Sequence, residues 1–294
     1  LYLDCSMGAA GDMLTAALLE LTEDKAAFLT QMNGLGLPGV TVAAEPAVKC
    51  GITGTHVRVT VAGTEEDDHL HDHDHHDHDH EHEHHHDHHG LPEILDLISR
   101  LDLPARVKTD AAAVYRDIAR AEGHVHGREV DQIHFHEVGS LDAVADVVGV
   151  CLLMHTLAPD EITASAVHVG SGQVRCAHGV LPVPAPATAY LLRDVPIYGG
   201  AIRGELCTPT GAALLKHFVT RFGPMEPMRP EKIGYGMGRK DFEVANCLRA
   251  MLGTAEGESG DICELRCNLD DMTGEEIGFA MERLLDAGAL DVFT

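Results

Sequence analysis

The chain has 294 residues, is 45% hydrophobic with only 4% aromatic residues and no Trp, and carries a formal charge of −26. That length suits one large domain or two ordinary ones, with cores resting on Leu, Val, Ala and Met. So acidic a body, with no basic stripe, excludes a binder of the nucleic-acid phosphate backbone, and the longest apolar stretch, Val147 to Met154, is too short to cross a bilayer.

Leu1 to Cys5 reads as a short apolar strand that runs through SMGAAGD into an apolar helix, Met13 to Leu21. Strand, glycine-containing turn and helix is the layout that offers helix N-terminal amides to an anion. Asp4, Ser6, Gly8, Gly11 and Asp12 lie in that turn, where a carboxylate beside exposed amides can hold a Mg²⁺–phosphate group. The plainer account is an ordinary turn with Asp12 capping the helix. Val40 to Ala47 and Gly51 to Ala62 alternate and are β-branched, which predicts a hairpin turning at Lys49-Cys50-Gly51.

Residues 69–89 then read HLHDHDHHDHDHEHEHHHDHH, thirteen His with seven Asp and Glu and a single Leu. With nothing apolar to bury, such a segment cannot offset the entropy of ordering, so a disordered insertion over 68–90 is expected. Imidazole is the commonest protein metal ligand and is mostly neutral at pH 7. The insertion is therefore read as metal-binding through His71, His73, His75, His76, His78, His80, His82, His84, His85, His86, His88 and His89. Imidazole suits Zn, Cu, Fe and Ni alike, so ligand type alone does not choose the metal. An acidic solubilising linker is the bland alternative.

Two amphipathic helices follow, Leu91 to Leu101 and Pro104 to Glu122, then Ile133-His134-Phe135-His136-Glu137 and a helix from Leu141 to Leu157 with Ser140 as candidate N-cap. In a strand His134 and His136 share a face, and Asp142 and Asp146 sit one above the other at i, i+4. Two imidazoles with two or three carboxylates make a divalent-metal shell with open positions. Against this, Asp142 also reads as a favourable charge on a helix dipole, and the His pair as hydrogen-bonded strand-end residues.

Ile162 to Val169 reads as a strand, Gly170 to Ala189 as irregular until a helix near Ala187, and CTPTG (Cys207 to Gly211) as the start of a helix to Arg221. Thr208, Thr210 and Gly211 offer hydroxyls and amides to a phosphate, or simply an N-cap at Thr210. Cys207 is a candidate thiol ligand or nucleophile. Gly234-Tyr235-Gly236-Met237-Gly238 reads as a mobile or tight loop, Val244 to Leu252 and Ile262 to Leu269 as strands, and Gly253 to Gly260 as a linker. A helix from Gly274 to Gly288 and a strand at Leu290 complete the pattern. The expected fold is mixed, α/β and α+β: an N-terminal α/β domain over 1–253, then the opening of a ferredoxin-like domain over 261–294. The start at Leu1 and the apolar end at Leu290 to Thr294 read as part of a longer protein. Eight scattered Cys without a CxxC pair fit reduced thiols in the cytoplasm.

LYLDCSMGAAGDM, the internal His insertion, IHFHEVGSLDAVADVVG, CTPTGAALL, EKIGYGMGRKD and NLDDMTGEEIGFAMERLLDAGALDVF occur in that order. Together they resemble the LarC family, the nickel-insertion proteins of nickel-pincer cofactor synthesis for lactate racemase. The resemblance implies a chelatase that inserts Ni²⁺ into pyridinium-3,5-bisthiocarboxylic acid mononucleotide. It also implies dependence on CTP with Mg²⁺ or Mn²⁺ through a C-terminal domain, of which 262–294 would be the opening segment. The implied partners are that mononucleotide, CTP, the remaining C-terminal part of the protein and the lactate racemase apoenzyme as recipient, with a homo-oligomer open. From spacing alone, His134, His136 and Glu137 are the expected transfer ligands. His136 or Glu137 is the expected base for the proton lost when a C–Ni bond replaces C–H. Two other classes remain: a nickel store or metallochaperone built on the His tract, and a metal-dependent phosphohydrolase built on Asp4, Asp12 and the His134/His136/Glu137 cluster.

Overall fold

In the computed structural model, which describes residues 1–64, 90–130, 133, 135, 139–176, 179–255 and 264–294, the chain opens as its pattern predicts. β1 (Tyr2–Asp4) turns into α1 (Gly11–Leu21), and α2 (Lys25–Gly34), which the periodicity does not announce, follows. β2 (Val40–Lys49) and β3 (Ile52–Val61) pair antiparallel about Cys50 and Gly51, from Val40 opposite Val61 to Lys49 opposite Ile52. Then come α3 (Leu91–Arg100), α4 (Ala105–His126) and α5 (Leu141–Leu157), the last with Ser140 in the N-cap position. The His-rich insertion over 65–89 lies outside the described residues.

The strand expected at Ile162 to Val169 is two pieces, β4 (Thr163–Ala164) and β5 (Val167–His168), because the chain leaves the main sheet between them. The glycine- and proline-rich stretch holds β6 (Gly170–Ser171), β7 (Gln173–Cys176) and β8 (Gly179–Pro182), then α6 (Pro186–Leu191). β9 (Ile197–Tyr198) pairs with β5, and β10 (Gly204–Glu205) with β6. After α7 (Pro209–Phe218) come β11 (Arg221–Phe222), β12 (Met228–Met237) and β13 (Cys247–Ala255).

Seven strands form one mixed sheet in the order β11-β4-β1-β13-β12-β3-β2. β1 pairs parallel with β4 and antiparallel with β13 (Leu3 opposite Ala250), so the first and last strands of this unit lie side by side. α1 lies on the sheet against β12, β3 and β13, and α5 packs on α1, with α4 and α7 beyond. Every residue of α1 except Asp12 and Glu20 is buried. Glu20 is held by the sheet: Thr55 Oγ1 donates to Oε1 at 2.7 Å and the Tyr235 N–H to Oε2 at 2.7 Å.

Two expectations about the last strands are overturned. Gly234 to Met237 belong to β12 rather than to a loop, and β13 runs through Ala255, three residues into the expected linker. The glycines of β12 mark close approach, not a turn. A Cβ at Gly236 would overlap the Met13 carbonyl oxygen, and one at Gly234 the Ala17 carbonyl oxygen. Backbone of α1 therefore rests on backbone of β12.

The chain divides into two compact units, Leu1–Glu256 and Gly257–Thr294. The second holds α8 (Gly274–Asp286), closed at its start by a capping box of Thr273 and Glu276. The strands expected at Ile262 to Leu269 and at Leu290 do not form over the described residues 264–269 and 290–294. A strand exists by pairing, and no other strand is described in this unit to pair with, so the ferredoxin-like sheet is not seen there. Among the described residues no helix is long and apolar enough to cross a membrane.

Gly236→Ala should lower the unfolding free energy by about 2–4 kcal/mol in urea, because neither backbone can yield to a new methyl group. Gly34→Ala, where an added Cβ meets nothing within 4 Å, should shift it by less than about 1 kcal/mol. Equal effects would show that β12 and α1 are not in direct backbone contact.

Candidate functional site

The two turns read as phosphate cradles lie side by side, and they spend their polar groups on each other. The Ala9 N–H donates to the Leu206 carbonyl at 3.0 Å and the Thr208 N–H to the Ala9 carbonyl at 3.0 Å. Gly8 has φ +85°, and a Cβ there would overlap the Leu206 carbonyl. Thr208, not Thr210, is the N-cap of α7, accepting from the Gly211 N–H at 3.2 Å. Pro209 takes the first helical position and leaves Thr210 buried. Asp4 turns to the neighbouring strand, where Arg249 Nη2 donates to Oδ2 at 2.6 Å, while the Ser6 N–H donates to Oδ1 at 3.1 Å. Ser6 is exposed, and its carbonyl accepts from His168 Nδ1 at 3.0 Å.

Asp12 does not cap α1. The N-cap position belongs to Ala10, and Asp12 stands in the first turn, its Oδ1 accepting the Met13 N–H at 2.7 Å. Its neighbours are the acids of α5. A Cβ added to Gly11 would lie 2.6 Å from Asp146 Oδ2, so the start of α1 touches the Asp146 carboxylate, which also accepts the Asp12 backbone N–H. The anion received by the amino end of α1 is thus a side chain of the protein itself. Asp142, one turn earlier on α5, completes a trio of carboxylates in which Asp12, Asp142 and Asp146 each stay partly open to solvent. One oxygen of Asp142 and one of Asp146 are sealed and lack a hydrogen-bond partner among the described residues.

Burial, then the charges of Asp12 and Asp142, hold the Asp146 carboxyl well above the usual carboxylate range. Burial also raises Asp12, against the opposing pull of the Met13 N–H, His56 and Arg239. His56 projects from β3 with Nδ1 donating to the Met237 carbonyl at 3.0 Å. Tyr115, from α4, is 0% exposed and edge-on to Phe135 at 6.1 Å between ring centroids. Sequence reasoning missed His56, Tyr115 and Arg239. The signals present were Asp12 in its glycine-containing turn and the spacing of Asp142 and Asp146 on a largely apolar helix.

The expected ligands and bases His134, His136 and Glu137, and His71, His73, His75, His76, His78, His80, His82, His84, His85, His86, His88 and His89, lie outside the described residues. Phe135, between the two His, is 1% exposed and part of the core. Cys207 is fully buried beside Cys5, and burial pushes its thiol well above the ordinary range, unsuited to a nucleophile. Among the described residues no three or more His, Cys, Asp or Glu side chains converge closely enough to hold a metal ion.

A family model described as "Nickel insertion protein" matches residues 1–294. The chain is 40% identical over 298 residues to the pyridinium-3,5-bisthiocarboxylic acid mononucleotide nickel insertion protein of Acetivibrio thermocellus, covering 100% of this chain and 70% of that protein. It is 38% identical over 300 residues to the protein of the same name from Desulfitobacterium hafniense, covering 99% of this chain and 69% of that one. The Staphylococcus saprophyticus protein of that name is 37% identical over 294 residues, covering 100% and 70%. No solved structure matches the chain.

The raised Asp146 carboxyl sets a pH dependence. A carboxyl with a folded-state pKa above its unfolded value of about 3.9 binds its proton more tightly in the folded state. Stability from this group is therefore fullest below the unfolded pKa, falls as pH rises toward the folded one, and is lowest above it. In chelator, Asp146→Asn should be more stable than the parent by on the order of 1 kcal/mol or more at pH 8, with the gain shrinking toward pH 4.5 in urea titrations. A gain independent of pH would show that Asp146 is not held protonated by its surroundings.

Proposed function

The chain belongs to the nickel insertion protein family, and on that footing we propose that it inserts nickel into pyridinium-3,5-bisthiocarboxylic acid mononucleotide, the substrate named for its relatives. The observation that carries this reading is the family match across residues 1–294, joined by relatives of 37–40% identity over the whole chain. Nickel is the cargo. The thirteen His of the insertion gather it as replaceable imidazole contacts, and His134, His136 and Glu137 receive it for transfer. Insertion replaces a ring C–H by C–Ni: the C–H electron pair passes to nickel, and the proton leaves to a base, His136 or Glu137. The thiocarboxylate sulfurs complete the metal's shell. The reading extends to CTP with Mg²⁺ or Mn²⁺, bound through a C-terminal domain, to delivery of the product to a lactate racemase apoenzyme, and to work in the cytoplasm.

The His tract on its own favours a second reading, a nickel metallochaperone that never touches the mononucleotide. A mass-spectrometric insertion assay separates the two. It takes purified chain, Ni²⁺, the mononucleotide, Mn²⁺ and CTP, with and without a separately made C-terminal domain. Nickelated product in the reconstituted mixture is the expected result. No product in either mixture, beside tight binding of several nickel ions, would replace the enzyme by the metallochaperone. Deleting Asp68 to Gly90 should cut insertion at limiting nickel and leave it within about twofold at saturating nickel, since a gathering tract acts only through local metal supply.

A further inference from the structure

Where α1, α4 and α5 meet, four polar atoms are buried without a hydrogen-bond partner among the described residues: Thr15 Oγ1, Tyr115 Oη, Asp142 Oδ1 and Asp146 Oδ1. Thr15 reaches this interface one turn beyond Asp12, with its hydroxyl against Gly149 of α5. Burial without partners is costly for any of them, and here they gather at one junction. Tyr115 is the telling member. It is 0% exposed, and the charges that act on its hydroxyl are foremost those of Asp142 and Asp146. A phenol buried only for packing would be better served as Phe.

The groups are all oxygens, carboxylate and hydroxyl, with no sulfur or imidazole among them. Such a set favours Mg²⁺ or Mn²⁺, whereas imidazole suits nickel. A small hard ion needs few protein ligands. Mg²⁺ commonly takes one or two carboxylates and keeps several waters, so it does not require three carboxylates converging on one point, and the described residues offer no such convergence. Asp142 and Asp146 are stacked at i, i+4, and the Asp12 N–H fixes one side of the Asp146 carboxylate. His56 and Arg239 oppose the raising of Asp12, while the charges acting on Asp146 are two more carboxylates.

We propose that Asp142 and Asp146, backed by Asp12 and the Tyr115 hydroxyl, bind a hard divalent cation of the Mg²⁺/Mn²⁺ class, at a site separate from the nickel cargo. The ion offsets the repulsion among three carboxylates and draws the first turns of α1 and α5 together. Ion binding and nickel insertion are separable, since this site uses neither the His tract nor the mononucleotide.

Mn²⁺ is the probe, added to the full nucleotide-free chain and followed by the loss of the free-ion signal in electron paramagnetic resonance. The parent should show one site that Asp142→Asn abolishes and that Tyr115→Phe weakens about tenfold or more, in the range for groups that support a metal's ligands. Filling the His tract with Ni²⁺ should leave that Mn²⁺ in place. Both variants keep the tract, so any Mn²⁺ held there is common to all three proteins, and Tyr115→Phe keeps the test open should the Asn variant fold poorly. Unchanged Mn²⁺ binding in Tyr115→Phe and Asp142→Asn would overturn the proposal. One-for-one displacement of Mn²⁺ by Ni²⁺ would also overturn it, assigning the acids to the nickel path.

Discussion

The bare contact between α1 and β12 governs the geometry of the first unit. With hydrogen atoms standing where side chains would be at Gly234 and Gly236, the helix sinks until its Met13 and Ala17 carbonyls meet the strand. A helix seated on backbone is fixed in depth and in rotation, since neither partner has a rotamer to change. Its two carboxylates are placed by that rotation. Glu20 falls where Thr55 and the Tyr235 amide satisfy it, and Asp12 falls toward α5.

The two ends of α1 thus meet opposite electrostatic fates. Glu20 has a donor for each oxygen. Around Asp12 the scaffold brings acids together and seals an oxygen of two of them without donors. A sequence selected for stability alone would not keep such an arrangement, because like charges in a low-dielectric setting repel strongly. Local rules broken at one place in an otherwise consistent fold point to chemistry at that place. Chemistry fits the family to which the chain belongs.

Much of this was legible in the residues. The period of the Val40 to Ala62 alternation gave the hairpin to within a residue or two, and the apolar run with its acids gave α5 over Leu141–Leu157. Asp142 and Asp146 were found because acids at i, i+4 stand out on a helix whose middle is apolar and buried. Asp12 was noticed and read with a phosphate, whereas its contact with Asp146, 134 positions away, is of a kind that only packing reveals. Tyr115 left no trace, since a tyrosine on an apolar helix face looks like any other core residue. The Gly234 to Gly238 run misled because glycine signals a turn and a close approach in the same letter.

The neighbours of β1 in the sheet impose an order of events on the making of the protein. β1 is the first strand of this unit in chain order, yet one of its partners, β13, ends at Ala255, and the other, β4, begins at Thr163. β1 is therefore made long before either strand it pairs with, whereas α1 meets β3, one of its own supports, as early as Val61. Completion of the sheet waits until nearly the whole first unit has been translated. Contacts so distant in sequence close slowly, and the junction of α1 with α5 has its final strand support only after that closure. Closure of the main sheet is thus set by the most distant of its pairings, that of the unit's first strand with its last.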